Sequence, residues 1–166
     1  MRLKTIFILY FIFSVSPGFS QHCRSVNNTT LLKKNAIYGT LGVEFGEFYG
    51  TFLANYDRQL FHLPNSFIHS MWLRVGAGPY VQWTAKGVNY VSTLSAVIGR
   101  TSNHLEIGSG VLLTYNINEK RFHPLVHNSH LATNLGYRFQ KPGGNYIFRA
   151  GIGWPEFIYL SFGICF

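Results

Sequence analysis

Six ionisable residues in this sequence share one kind of position. Glu44, Asp57 and Glu106, and Arg74, Arg138 and Arg149, each occupy a polar place in a segment where polar and apolar residues alternate. Three acids and three guanidinium groups on one parity have the makings of a paired ion network, because an isolated ion removed from water is costly. Such a set can hold a structure together, or line a narrow ion path if the pairs leave a gap. A second set of reactive types is His127-Asn128-Ser129-His130, with Glu119 and His123 close by. An imidazole beside a hydroxyl can activate it, and an acid can orient the ring, which makes His127 and Ser129 the candidate catalytic pair. Seven histidines in 166 residues also produce a His-x-Ser pairing by chance, and a polar loop accounts for the same residues. His62, His69, His104, His123, His127 and His130 offer no ligand-spaced pair on an expected element. His123 and His127 are four apart, but in a loop rather than on a helix face. The glycines fall on alternating strand positions and form no phosphate loop, so neither a metal nor another cofactor is expected.

The elements that must carry these residues follow from composition and periodicity. The chain is 47% hydrophobic and 17% aromatic with 17 Gly, and only 12% charged, about half the usual ~25%. That aromatic load excludes intrinsic disorder. Two Cys cannot staple a chain of this length as a disulfide scaffold, and the Gly and aromatic content excludes a coiled coil. Length allows one domain and a tail.

From Ala36 onward the period is two, not 3.6. Ile37, Leu41, Val43 and Phe45 oppose Tyr38, Thr40, Gly42 and Glu44. Phe52, Ala54 and Tyr56 then oppose Thr51, Asn55 and Asp57. Met71 to Trp83, Val88 to Ile98, Leu105 to Tyr115, Leu131 to Phe139, Tyr146 to Trp154 and Ile158 to Phe166 continue the pattern, giving eight segments in residues 36–166. Turn signals such as Ala85-Lys86-Gly87, Lys141-Pro142-Gly143-Gly144-Asn145 and Trp154-Pro155-Glu156 separate them. Two connections are longer, Gln59–Ser70 and Ile117–Ser129. Phe61, Leu63 and Phe67 suggest that strands extend into the first. Pro79, on the apolar parity of the third segment, removes a ladder donor and marks a bulge or a strand end.

Alternation alone admits a soluble barrel, such as an exported lipocalin-like binder with an apolar interior. Three features favour a membrane barrel. The polar parity is rich in Gly, Ser, Thr, Asn and Tyr rather than Lys and Glu, as a narrow lumen requires. The in-strand ions are balanced on that parity. Aromatics at segment ends, Trp83, Tyr115, Tyr137, Tyr146 and Trp154, read as girdles at a lipid–water boundary. The expected fold is an all-β, eight-stranded, antiparallel, up-and-down transmembrane β-barrel.

The last segment sets Phe162, Ile164 and Phe166 at every second position, and this resembles the insertion signal of Gram-negative outer-membrane β-barrels. Residues 36–166 are similar in size to eight-stranded barrels of the OmpA and OmpX type. Asn55-Tyr56-Asp57-Arg58, Leu105-Glu106-Ile107-Gly108-Ser109-Gly110 and Gly136-Tyr137-Arg138-Phe139 look like an uncharacterised family of such barrels. The resemblance implies a monomer in the outer membrane whose partners are outer-membrane lipid, lipopolysaccharide and the barrel-assembly machinery. It implies a structural or surface-interaction role for the loops. Some barrels of this size modify lipid A as acyl hydrolases or transferases, and that is the enzymatic alternative.

Export is expected from the N-terminus. Arg2 and Lys4 precede an apolar run from Ile6 to Val15, Pro17 and Gly18 break it, and Ser20 offers a cleavage site, so residues 1–20 read as a signal peptide. Its removal takes two of 14 basic residues against 6 acids, leaving a net charge of +6. Nucleic acid is excluded as a partner of an exported chain, and anionic headgroups suit the charge. Residues 21–35 form a polar extension. Cys23 and Cys165 share a compartment in this arrangement, and a disulfide between them would tether the extension. The alternative makes Cys165 a small apolar filler of the lumen.

Overall fold

The computed structural model describes residues 32–44, 48–63, 66–118, 121–123, 131–154 and 156–166. The signal peptide, most of the polar extension, Cys23, His127 and Ser129 lie outside the described residues. Among the described residues nine strands occur in chain order: β1 Asn35–Glu44, β2 Tyr49–His62, β3 Ile68–Val81, β4 Lys86–Ile98, β5 Asn103–Asn116, β6 Arg121–His123, β7 Leu131–Gln140, β8 Tyr146–Trp154 and β9 Phe157–Cys165. Each barrel strand pairs antiparallel with its neighbours, β1 pairs with β9, and β4 pairs with β5, so eight strands close into an up-and-down barrel. β6 is a short addition that pairs with the last three residues of β5. Closure leaves no unpaired edge within the barrel wall, the usual hazard of an open sheet.

Period two explains why these segments become strands and which way each faces. Along β7 the exposed Leu131, Leu135, Tyr137 and Phe139 alternate with the buried Ala132, Asn134, Gly136, Arg138 and Gln140. β9 repeats this, with Ile158, Leu160, Phe162 and Ile164 exposed and Tyr159, Ser161 and Cys165 buried. The apolar side chains therefore face outward, and the polar and ionic ones fill the interior. Small apolar clusters sit inside as well, among them Leu53, Val91, Leu112 and Ala132 toward one end, and Leu32, Trp72 and Val97 toward the other.

The long connection expected at Gln59–Ser70 is mostly strand. β2 runs to His62 and β3 begins at Ile68, and a register shift on each strand absorbs the extra residue. β3 also runs through Pro79 to Val81 rather than ending there. Pro79 stays paired to Val88 on β4, while the pairing to β2 passes from Thr51–Tyr80 to Ala54–Ala77. The Thr51 hydroxyl donates to the Pro79 carbonyl at 3.2 Å, bridging that gap with a side chain.

Candidate functional site

The main polar constellation is a belt of charge across the lumen. Asp57 on β2, Arg74 on β3, Glu106 on β5, Arg138 on β7 and Arg149 on β8 are each at most 5% exposed. Arg149 Nε donates to Glu106 Oε2 at 2.9 Å, and its Nη2 donates to Oε1 of the same carboxylate. Arg74 Nη2 reaches that Oε1 at 2.7 Å from another wall. Arg138 Nη1 donates to Asp57 Oδ2 at 3.1 Å and lies 3.5 Å from Glu106 Oε2. Each buried ion thus has an opposite partner and further hydrogen bonds, the condition under which a buried ion pair holds.

Neutral groups complete the belt. Tyr38 on β1 donates its hydroxyl to Asp57 Oδ1 at 2.6 Å and accepts from Arg149 Nη1 at 2.6 Å. Gln140 Oε1 accepts from Arg138 Nε and Nη2, at 3.1 and 2.8 Å. The Arg138 guanidinium also lies 4.0 Å from the centre of the Trp72 ring, a cation–π contact. Asn134 donates to Glu106 Oε1 at 3.0 Å. Gly108 faces this group because a Cβ there would lie 2.3 Å from both Asn134 Oδ1 and Ser95 Oγ.

Five of the six expected lumen ions meet in this belt. Glu44 does not join it. It ends β1 half-buried, six residues beyond Tyr38, about 20 Å along the strand. The carboxyl that sequence reading missed is Glu156. It lies in the turn before β9, where Phe157 takes a left-handed φ of 50° and the side chain folds into the barrel over Gly42. A Cβ on Gly42 would sit 2.5 Å from Glu156 Cβ. Burial pushes the Glu156 carboxyl above its usual range, with Arg74 opposing the shift. The turn signal Pro155-Glu156 was visible in the sequence, but its inward fold was not.

The aromatics expected to form girdles divide between the two barrel ends. Trp83 is 80% exposed after β3, Tyr115 packs edge-on against Phe122, and Trp154 packs against Phe157 at the same end. Tyr137 and Tyr146 lie at the other end, the latter stacked on Phe162 at 6.2 Å. Phe162, Ile164 and Phe166 are all exposed on the outer wall. Cys165 is buried inside, clustered with Ala36, Tyr38 and Ile147. A depression of about 700 Å³ on the wall is lined mainly by apolar groups, including Val43, Ile107, Leu135, Ile152 and Ile158.

Among the described residues no three His, Cys, Asp or Glu side chains are placed to hold a metal. No family model, curated protein or solved structure matches the chain. The class that the fold and interior define is a small, closed, eight-stranded antiparallel β-barrel with a filled, ionic lumen and an apolar outer wall.

Proposed function

We propose that this barrel spans the outer membrane of a Gram-negative envelope, where it acts in envelope structure or surface interaction through its loops rather than as an enzyme or pore. The observation that carries the reading is the inversion of the barrel. Leu41, Phe52, Ile107, Leu113, Leu160 and Phe162 face outward at 47–64% exposed, while three guanidinium groups and the carboxyls of Asp57, Glu106 and Glu156 are buried inside. A soluble lipocalin-like carrier needs the opposite arrangement, an apolar cavity behind a charged wall. Lipid is the solvent for which an apolar wall costs nothing, and a closed barrel leaves no open strand edge there.

Dimensions support the same reading. The eight barrel strands have 9 to 14 residues, and about 9–11 tilted residues cross the hydrocarbon layer. Aromatic side chains mark both ends of the apolar wall. The belt fills the lumen, so Asp57, Arg74, Glu106, Arg138 and Arg149 serve as structural pairing. With β1 starting in the periplasm, the connection carrying β6 faces outward and becomes the main surface for a partner.

Fractionation of expressing cells on a density gradient tests the proposal. The protein is expected in the outer-membrane band, resistant to alkaline extraction. Recovery in the soluble periplasmic fraction would refute it.

A further inference from the structure

The end of the barrel that carries Tyr146 and Cys165 is closed by the segment leading into β1. Leu32 is 4% exposed and packs against Trp72 of β3 and Val97 of β4. Lys33 donates through Nζ to Asn145 Oδ1 at 2.6 Å, and its carbonyl accepts from Gln140 Nε2 at 3.3 Å. The Lys34 carbonyl accepts from the Gln59 backbone N–H at 2.7 Å. Residues 32–34 therefore cross the mouth and touch walls contributed by β2, β3, β4, β7 and the turn before β8.

Three histidines stand beside this stopper, and two bulges place His62 and His69 there. The register shift on β2 between Gln59 and Phe61 lets His62 pair with the inward Ser70, and the shift on β3 between Ile68 and Ser70 buries His69 as well as Ser70. Bulges of this kind re-aim a side chain. The His62 and His69 rings meet edge to face at 4.6 Å, and His69 stacks on His104 of β5 at 6.4 Å. His69 is 5% exposed, and neither of its ring nitrogens has a hydrogen-bond partner; His62 Nδ1 is unpartnered as well.

Both neighbours of the stopper's seat are tied to these rings. Ser70, next to His69, accepts from Trp72 Nε1 at 2.9 Å. Gln140, whose side chain holds Lys33, turns its own carbonyl toward His104 Nε2 at 3.4 Å.

We propose that His62, His69 and His104 form an acid-sensitive latch, which holds residues 32–34 in the mouth while the rings are neutral and releases them when the rings take up protons. His104 accepts the first proton in place, because its two nitrogens face the carbonyls of Gly99 and Gln140 and an imidazolium donates to both. A second proton, on His69, has no such acceptor. The charged and titratable groups that act on His69 and His104 are one another, His62, Arg100 from the β4–β5 turn and Arg138 from β7, every one basic. Lys33 and Cys165 complete the mouth, and Asp57 is already held by Tyr38 and Arg138. Water reaches a charge on the buried His69 only when the mouth opens. Proton uptake and opening therefore favour each other, so acid opens the mouth.

The test reads the seat itself. In the full chain with Trp83→Phe and Trp154→Phe, Trp72 is the one remaining tryptophan. Its quenching by acrylamide is measured in detergent micelles from lifetimes at about pH 7.5 and about pH 5. The quenching constant is expected to rise about threefold at the lower pH while the far-ultraviolet circular dichroism stays that of the intact barrel. Adding His62→Gln and His69→Gln should flatten that rise, and His69→Gln alone serves if the pair does not fold. Leu32→Ala should give the high value at both pH values. An unchanged constant, an equal rise without the histidines, or loss of the sheet signal at the lower pH would each overturn the latch.

Discussion

Arg149 grips both oxygens of Glu106, with Nε to Oε2 at 2.9 Å and Nη2 to Oε1, while Arg74 reaches the same Oε1 from the opposite wall at 2.7 Å. Glu106 is thus the anion that holds three strands to a common centre. Replacing it with Gln keeps the shape but leaves Arg74, Arg138 and Arg149 with Asp57 as the remaining belt carboxylate. Breaking a buried pair from one side costs about 3–5 kcal/mol. Glu106→Gln should lower the denaturant midpoint of the micelle-bound barrel by a corresponding amount. A change within error would mean that the belt does not hold the fold.

Glu156 gives a pH dependence of a definite sign. Its carboxyl titrates above the ordinary range in the folded chain because of burial. The stability linked to this group is therefore fully present below the unfolded carboxyl pKa and is lost as pH rises through the raised folded value. Glu156→Gln should raise the melting temperature at neutral pH relative to the unaltered protein. The difference should shrink as the pH falls below about 4, where the carboxyl is protonated in both states. Melting curves at a series of pH values check both the sign and the convergence.

The outer wall should discriminate sharply between faces. Leu41 and Leu160 are directly opposed on β1 and β9, and both point outward at 61% and 55% exposed. Leu160→Arg should cost about 2–4 kcal/mol of folding free energy in vesicles if this level lies near the bilayer midplane. In a water-facing wall the same change would be nearly neutral. Equilibrium folding into vesicles of the two proteins decides between these outcomes.

Conduction should be absent. The belt joins side chains from β1, β2, β3, β5, β7 and β8 across the lumen, and an eight-stranded interior is just wide enough for side chains to fill. Purified protein in a planar bilayer should give no discrete current steps. Regular steps would require an open route past Arg138 and Glu106.

Strand parity was legible because outward and interior positions alternate along β7 and β9, so that Arg138 and Ser161 fall on one side and Leu135 and Leu160 on the other. Tyr38, Gln140 and Trp72 share the parity of the ions, yet their role depends on which strands meet across the lumen, and period two carries no such information. The bulges that turn His62 and His69 inward break the period, which is why the sequence showed a long connection there. Glu156 was missed because its position depends on a turn folding into the barrel. Glu44 satisfied the parity rule but lies too far along β1 to reach the belt.

The most direct measurement is folding of the full chain from urea, with and without lipid vesicles, followed by gel mobility with and without heating and by circular dichroism. An apolar wall around an ionic lumen predicts a compact, heat-modifiable, sheet-rich form with vesicles, and aggregation without them. An equally stable, soluble, sheet-rich monomer in vesicle-free buffer would contradict the account.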